Sequence, residues 1–275
     1  MLSEIELVSE KLERAALESL HEFCPNDARD ALGLKLIRIE DVSLALSSAA
    51  PSILINRALG LGTETQASAQ TIIQVAETYR RLGYRRHGLG SFFFHVYEDD
   101  LSGDAVAALE ELGLVRRRGW MKFHRDAAAP REIETDLRVE MAADQETALH
   151  FGRIVCSAFG MPDLAIPKMA GINDDPRWHL FVSYDGDTPT GAGGLFVEGS
   201  NGWLEWGATD EAFRRRGSHG AIMAARIGLA AELDCENLFT ETGEAVEGDP
   251  QHSYRNILKS GFTELKLRAN YAPSA

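Results

Sequence analysis

Two stretches of this chain run through the same order of elements, and that repetition constrains the fold more than any single motif does. In the first, Ser52 to Leu61 is an apolar strand ending in Gly60-Leu61-Gly62. Ser68 to Leu82 is a helix with Ile72, Val75, Ala76 and Tyr79 on one face. Ser91 to Tyr97 is an aromatic strand, Ser102 to Leu112 a helix closed by Gly113, and Val115 to His124 a last strand. In the second, the strand Gly202 to Ala208 leads through an Arg/Gly loop to a helix with Ile222, Ala225, Leu229 and Leu233 on one face. A strand at Asn237 to Glu241, a helix over Gln251 to Ser260 closed by Gly261, and a strand at Phe262 to Asn270 complete it. Ahead of that stretch lie a strand at Leu137 to Met141, a helix at Asp144 to Ser157, and strands at Trp178 to Tyr184 and Thr190 to Val197. The chain opens on a helical pattern carrying Leu7, Leu12, Ala16 and Leu20. Ala127-Ala128-Ala129-Pro130-Arg131 reads as a linker. The expected fold class is α/β (α+β), with lobes at residues 1–126 and 132–275.

Charge narrows the partners. The formal net charge is −14, with 15 basic against 19 acidic residues up to position 130 and 13 against 23 beyond it. Such a surface repels nucleic acid and anionic lipid and attracts a cationic small molecule such as an amine. No apolar run approaches the roughly 18 residues of a membrane span, and the acidic N-terminus lacks signal-peptide order. Cys24, Cys156 and Cys235 show no CxxC spacing and the histidines no HxxxH, so neither disulfides nor a metal are expected. The expectation is a cytoplasmic protein.

Within the acidic half one basic cluster needs a reason: Phe213-Arg214-Arg215-Arg216-Gly217-Ser218-His219-Gly220-Ala221, between a strand and a strongly periodic helix. The first N–H groups of a helix lack intrahelical partners and the dipole leaves partial positive charge there. Glycine lets the backbone approach a ligand closely, and three arginines supply forked donors suited to phosphate oxygens. Together they read as a diphosphate site, against the alternative of a solvated basic turn. No Gly-Lys-Ser/Thr follows and no GxGxxG is present in the loop, so neither nucleotide fingerprint applies.

Thr209 to Gly217 resembles the fourth strand and acyl-CoA loop of the GNAT N-acetyltransferases, whose signature is (Gln/Arg)-x-x-Gly-x-(Gly/Ala). Ser253 to Phe262 is similar to the family's helix ending in Gly-Phe. Residues 137–270 lie along the whole GNAT order, and 52–124 resemble its second half only, as in tandem GNAT proteins with a degenerate first copy. Arg214 and Gly217 fit the loop signature; His219 stands at the second Gly/Ala position and Gly220 one later. His219 is expected to face solvent, with a hydrogen bond to phosphate as the alternative. A literal match at Arg85-Arg86-His87-Gly88-Leu89-Gly90 precedes a strand rather than a helix and is set aside.

The resemblance implies two GNAT-like lobes, each a mixed, mostly antiparallel sheet flanked by helices, and transfer of an acetyl group from acetyl-CoA to a small amine or peptide N-terminus, by direct attack in a ternary complex. It implies cofactor contacts from Gly207, Ala208 and Thr209, from Arg214, Arg215, Arg216, Gly217, Ser218, His219 and Gly220, and from Ser253 and Asn256, with no metal. A bulge is expected at Gly207. Glu205 is the carboxylate of that strand and the candidate base, with Tyr254 the candidate acid, since Ile257 occupies the family's tyrosine position. Strand alternation puts Glu205 with Trp203, Gly207 and Thr209, and Leu204, Trp206 and Ala208 opposite. Glu241 and Glu244 are weighed as contacts for a cationic acceptor, against the reading of a solvated strand end; Trp120 and Trp178 read as packing residues. Three functions remain: a catalytic GNAT protein, a non-catalytic acyl-CoA-binding or regulatory protein, and an acidic interaction module without CoA. A monomer is expected over a homodimer.

Overall fold

The computed structural model describes residues 2–50, 52–64, 67–84 and 91–274; the motif at 85–90 lies outside the described residues. Helix α1 (Glu4–Glu22) is opened by a capping box in which Ser3 and Glu6 satisfy each other's backbone N–H. After it come α2 (Asn26–Leu32), β1 (Lys35–Ile39), β2 (Val42–Leu46), β3 (Arg57–Leu59), α3 (Ala69–Arg81), β4 (Phe93–Val96), α4 (Gly103–Glu111) and β5 (Leu114–Asp126). The second half holds β6 (Arg138–Met141), α5 (Gln145–Ala158), α6 (Ile166–Gly171), β7 (Trp178–Asp185), β8 (Thr188–Glu198) and β9 (Asn201–Thr209). It closes with α7 (Ser218–Glu232), β10 (Asn237–Gly243), α8 (His252–Lys259) and β11 (Thr263–Pro273). The expected strand over 52–61 shrinks to β3, because the chain turns through Ile55 and Asn56, whose N–H groups bond to the Ser52 carbonyl. No helix among the described residues is long and apolar enough to cross a membrane.

The strands form one continuous mixed sheet rather than two, in the order β1-β2-β3-β4-β11-β5-β10-β9-β8-β7-β6. Chain order and spatial order part at its centre. The last strand of the second half, β11, lies between β4 and β5, and the last strand of the first half, β5, lies between β11 and β10. Each half therefore completes its sheet with the other's terminal strand. Helices α1, α2, α5 and α6 share one core over Trp178, Phe196, Trp203 and Phe239. On the opposite face α7 and α8 pack on Leu195, Leu204, Phe123 and Leu238, while α3 and α4 cover Leu44, Ala58 and Phe94.

The central seam tolerates little addition. A Cβ on Gly119 of β5 would lie 2.7 Å from the Arg268 carbonyl oxygen of β11. Gly119→Ala is expected to cost about 1–3 kcal/mol by forcing these backbones apart, read as a lowered midpoint in urea unfolding.

Candidate active site

Strands β9 and β10 run parallel over only four pairs, from Asn201↔Asn237 to Leu204↔Thr240, and then diverge. Where they splay, a cavity of about 550 Å³ opens. Its lining alternates with the pleat, so it passes through the sheet: His219, Met223 and Arg226 of α7 and Ser253 and Ile257 of α8 on one side, Glu205, Trp206, Glu241 and Phe159 on the other. The first half supplies Ile53, Leu54 and the β5 stretch Arg117 to Trp120. Trp120, expected only to pack, is thus a cavity wall, whereas Trp178 is buried with its indole N–H on Ser19.

Beside the splay β9 carries one extra residue, since Ala192 to Gly194 of β8 faces Ala208 back to Glu205. Trp206 takes the strain, at φ 59°, so the bulge lies one residue before the expected Gly207. The pleat flips there. Trp203 and Glu205 remain on the α1 face, but Trp206 and Ala208 join them in that core. Gly207 and Thr209 face α7 instead, near His219 and Ser218 respectively. The expected grouping of Glu205 with Gly207 and Thr209 is corrected accordingly.

Above the cavity, on the α1 side, lies a buried charge network that is not among the expectations from sequence. Glu13 of α1 binds Arg57 (3.0 Å), Arg268 (2.6 Å) and Lys122. Glu10 binds Arg268 (2.8 Å) and Lys122 (3.2 Å) and accepts from the Tyr97 hydroxyl (2.6 Å). Arg268 also reaches Glu241 Oε2 at 2.8 Å. Arg57 bridges the two cavity carboxylates, at 3.2 Å from Glu205 Oε1 and 3.7 Å from Glu241 Oε1. Four carboxylates thus meet three cations, contributed by α1, β3, β5, β11, β10 and β9. One signal in the sequence could have shown this: Glu10 and Glu13 fall within the apolar arc of α1, beside Leu12, Ala16 and Leu17.

The network divides its carboxylates. Burial pushes Glu13 up, but Arg268, Lys122 and Arg57 outweigh it and hold the group well below the usual range. Glu10 is lowered by the same balance of burial against Arg268 and Lys122. Glu241 goes the other way, to about 7, through burial and the neighbouring Glu13 charge. Its Oε1 is buried without a hydrogen-bond partner, 3.7 Å from Arg57. Glu205 is raised by burial against the opposing pull of Arg57, and the Trp203 indole N–H donates to its Oε2 at 3.1 Å. Glu244, by contrast, is engaged by Arg116 and by the Gly119 N–H.

The Arg/Gly loop does stand at a helix start. Gly217 is the N-cap of α7 at φ 90°, and the first helical bond runs from the Ala221 N–H to the Gly217 carbonyl. The N–H groups of Ser218, His219 and Gly220 therefore have no acceptor inside the helix. Thr135, in the segment joining the halves, braces the loop by donating to the Arg216 carbonyl at 2.7 Å. The three arginines differ. Arg214 and Arg215 are exposed, whereas Arg216 is pinned by Asp136 (2.5 Å) and Asp185 (2.6 Å). The Ser218 side chain is buried on Ser183 at 2.9 Å. His219 does not face solvent: it lines the cavity, and burial with help from Arg226 lowers it to about 4. Of the α8 residues, Ser253 reaches the cavity while Asn256 lies outside its lining. Tyr254 is turned into the core, edge-on to Phe123, and its hydroxyl donates to Glu264 at 2.5 Å. That geometry removes it from the acid role, since it is not a cavity wall and burial raises it.

No protein-family model matches the sequence, and no curated protein does. Solved structures do match. A GCN5-related N-acetyltransferase from Kribbella flavida superposes at TM-score 0.61 with 12% identity, over 97% of this chain and 95% of that one. A tandem GNAT protein from the clavulanic acid biosynthesis pathway gives 0.56 and 11%, over 98% and 95%. A GCN5-related N-acetyltransferase from Sphaerobacter thermophilus gives 0.55 and 16%, and this chain spans 59% of its length against 66% of its own.

Proposed function

We propose that this chain, which has the fold of the GNAT N-acetyltransferases, moves an acyl group from acetyl-CoA or a related thioester to a small amine or a peptide N-terminus. The observation that supports this best is the cavity through the sheet, with the arginine loop and helix start on one side and two raised carboxylates on the other. The residues present fit a CoA thioester. The helix start offers unpaired N–H groups and Arg214 and Arg215 to a diphosphate. The splay between β9 and β10 leaves a slot for a narrow arm, and the bulge frees backbone groups beside it. When bound, the cofactor would supply an activated acyl carbon.

The chain's own residues then handle the acceptor and its proton. Glu205 and Glu241 are the carboxylates that the cavity presents to an ammonium. Attack needs a neutral amine, and Glu241, at about 7 and lining the cavity, takes the ammonium proton. Glu205, the candidate from sequence, shares Arg57 with it and has both oxygens hydrogen-bonded. The leaving thiolate departs without a tyrosine donor. Ile53, Leu54 and the Arg117 to Trp120 stretch make the first lobe part of the acceptor wall.

Thermal unfolding with acetyl-CoA tests the binding half. Ligand at about a hundredfold over Kd is expected to add roughly 2.7 kcal/mol, and Arg214→Ala with Arg215→Ala to remove most of the shift. Thiol release in the presence of amines tests the transfer half. A shift without thiol release from any amine favours the acyl-CoA-binding alternative; no shift overturns both.

A further inference from the structure

On the α7 side of the cavity two basic side chains converge on one glycine. A Cβ built on Gly207 would lie 3.5 Å from His219 Nε2 and 3.7 Å from Arg226 Nη2, so glycine keeps open the space that both donors face. Arg226 is 2% exposed, and among the described residues no carboxylate lies within ion-pair distance of it. Its guanidinium donates to the carbonyls of Ile222 (3.3 Å), Gly194 (3.1 Å) and Glu205 (3.2 Å). Nη2 is left with only the Met223 thioether, at 3.7 Å. His219 Nδ1 is enclosed with no partner at all.

A guanidinium buried without a counter-charge is costly, and burial draws Arg226 down to about 9. The cavity's carboxylates offer no relief, because Glu205 and Glu241 lie across the sheet and bind Arg57 and Arg268. A carboxylate bound over Gly207 would accept from Arg226 Nη2 and His219 Nε2 together, through charge-assisted hydrogen bonds.

We propose that Arg226, His219 and the gap over Gly207 form a carboxylate subsite, and that the acyl donor is the CoA thioester of a short dicarboxylic acid. This rests on the acyl-transfer reading, which assigns the α7 wall to the donor. An amino-acid acceptor is the other source of a carboxylate, but it enters from the Glu205 side. In the transfer the acceptor nitrogen bonds to the thioester carbon as the C–S bond breaks. The ammonium proton goes to a cavity carboxylate, the second N–H proton ends on the thiolate sulfur, and the distal carboxylate passes unchanged into the amide.

The test is equilibrium titration of the full chain with succinyl-CoA, butyryl-CoA and acetyl-CoA. Succinyl and butyryl chains match in length and differ in a terminal carboxylate against a methyl. Succinyl-CoA is expected to bind at least about tenfold tighter than butyryl-CoA, with Arg226→Met and His219→Phe each removing most of that ratio. Arg226→Met also loses three carbonyl contacts, so if it does not fold, the wild-type ratio and His219→Phe decide. Butyryl-CoA binding as tightly as succinyl-CoA overturns the proposal while leaving acyl transfer standing. Glycine that stabilises only the acetyl-CoA-loaded protein, with no succinyl advantage, moves the carboxylate to the acceptor and overturns the donor assignment. If none of the three esters binds, the acyl-transfer reading itself has failed.

Discussion

Glu13→Gln is expected to destabilise the protein by about 3–5 kcal/mol, the cost of leaving buried cations without their partner. Glu13 is wholly buried and touches Arg57, Lys122 and Arg268 at once. Those three side chains come from β3, β5 and β11, so the substitution loosens the seam where the halves exchange strands, beyond α1 itself. The loss reads directly as a fall in the urea or thermal midpoint at neutral pH. Linkage gives a second signature. Glu10 and Glu13 are lowered in the fold, so their stabilisation is present above the unfolded value of about 4.5 and is lost as pH falls below it. The wild type should therefore lose stability steeply in acid, and Glu13→Gln should lose much less over the same range. A midpoint within 1 °C of wild type would show that the network contributes little.

Glu241→Gln is expected to lower kcat by roughly 10²- to 10⁴-fold, the range for loss of a positioned base. Affinity for the thioester should hold, because Glu241 stands on the far side of the sheet from α7. With an ordinary carboxylate the acid limb of kcat would lie near 4.5; burial and Glu13 place Glu241 at about 7. Activity should therefore rise with pH through about 7 in the wild type, and that limb should vanish in the variant. The same raised value opposes folding: protonated Glu241 favours the folded state, and that contribution is lost as pH rises through about 7. Glu205→Gln should cost less, since both Glu205 oxygens are already hydrogen-bonded to Arg57 and Trp203. An unchanged pH profile in Glu241→Gln would return the role to Glu205.

Much of the helix and strand order was legible because it depends on short-range periodicity. The apolar spacing of Ile72, Val75, Ala76 and Tyr79 becomes the buried face of α3. The glycine after the loop arginines becomes the positive-φ N-cap of α7. Failures arose where a local rule met a long-range contact. Simple alternation along β9 holds to Glu205 and then breaks at Trp206, because the bulge is set by pairing with β8, whose partners Gly194↔Glu205 and Ala192↔Ala208 are 11 and 16 residues apart in the chain but adjacent in space. Tyr254 was placed on the right helix, but which way its ring turns depends on Phe123 and Glu264. No element is expected between Leu20 and Ser52, yet α2, β1 and β2 lie there.

By itself the sequence determined the repeated order of elements, the glycine turns and the helix start after the arginine loop, since each follows from neighbours within a few residues. Only the tertiary structure decided that β5 and β11 trade places. Two strands with equivalent patterns can pair with either half, and local periodicity holds no preference between the two; across that seam Glu10 and Glu13 of α1 bind Lys122 of β5 and Arg268 of β11. The value near 7 at Glu241 has the same origin, because it depends on buried charges drawn from α1, β5 and β11, far apart in the chain and brought together by the fold.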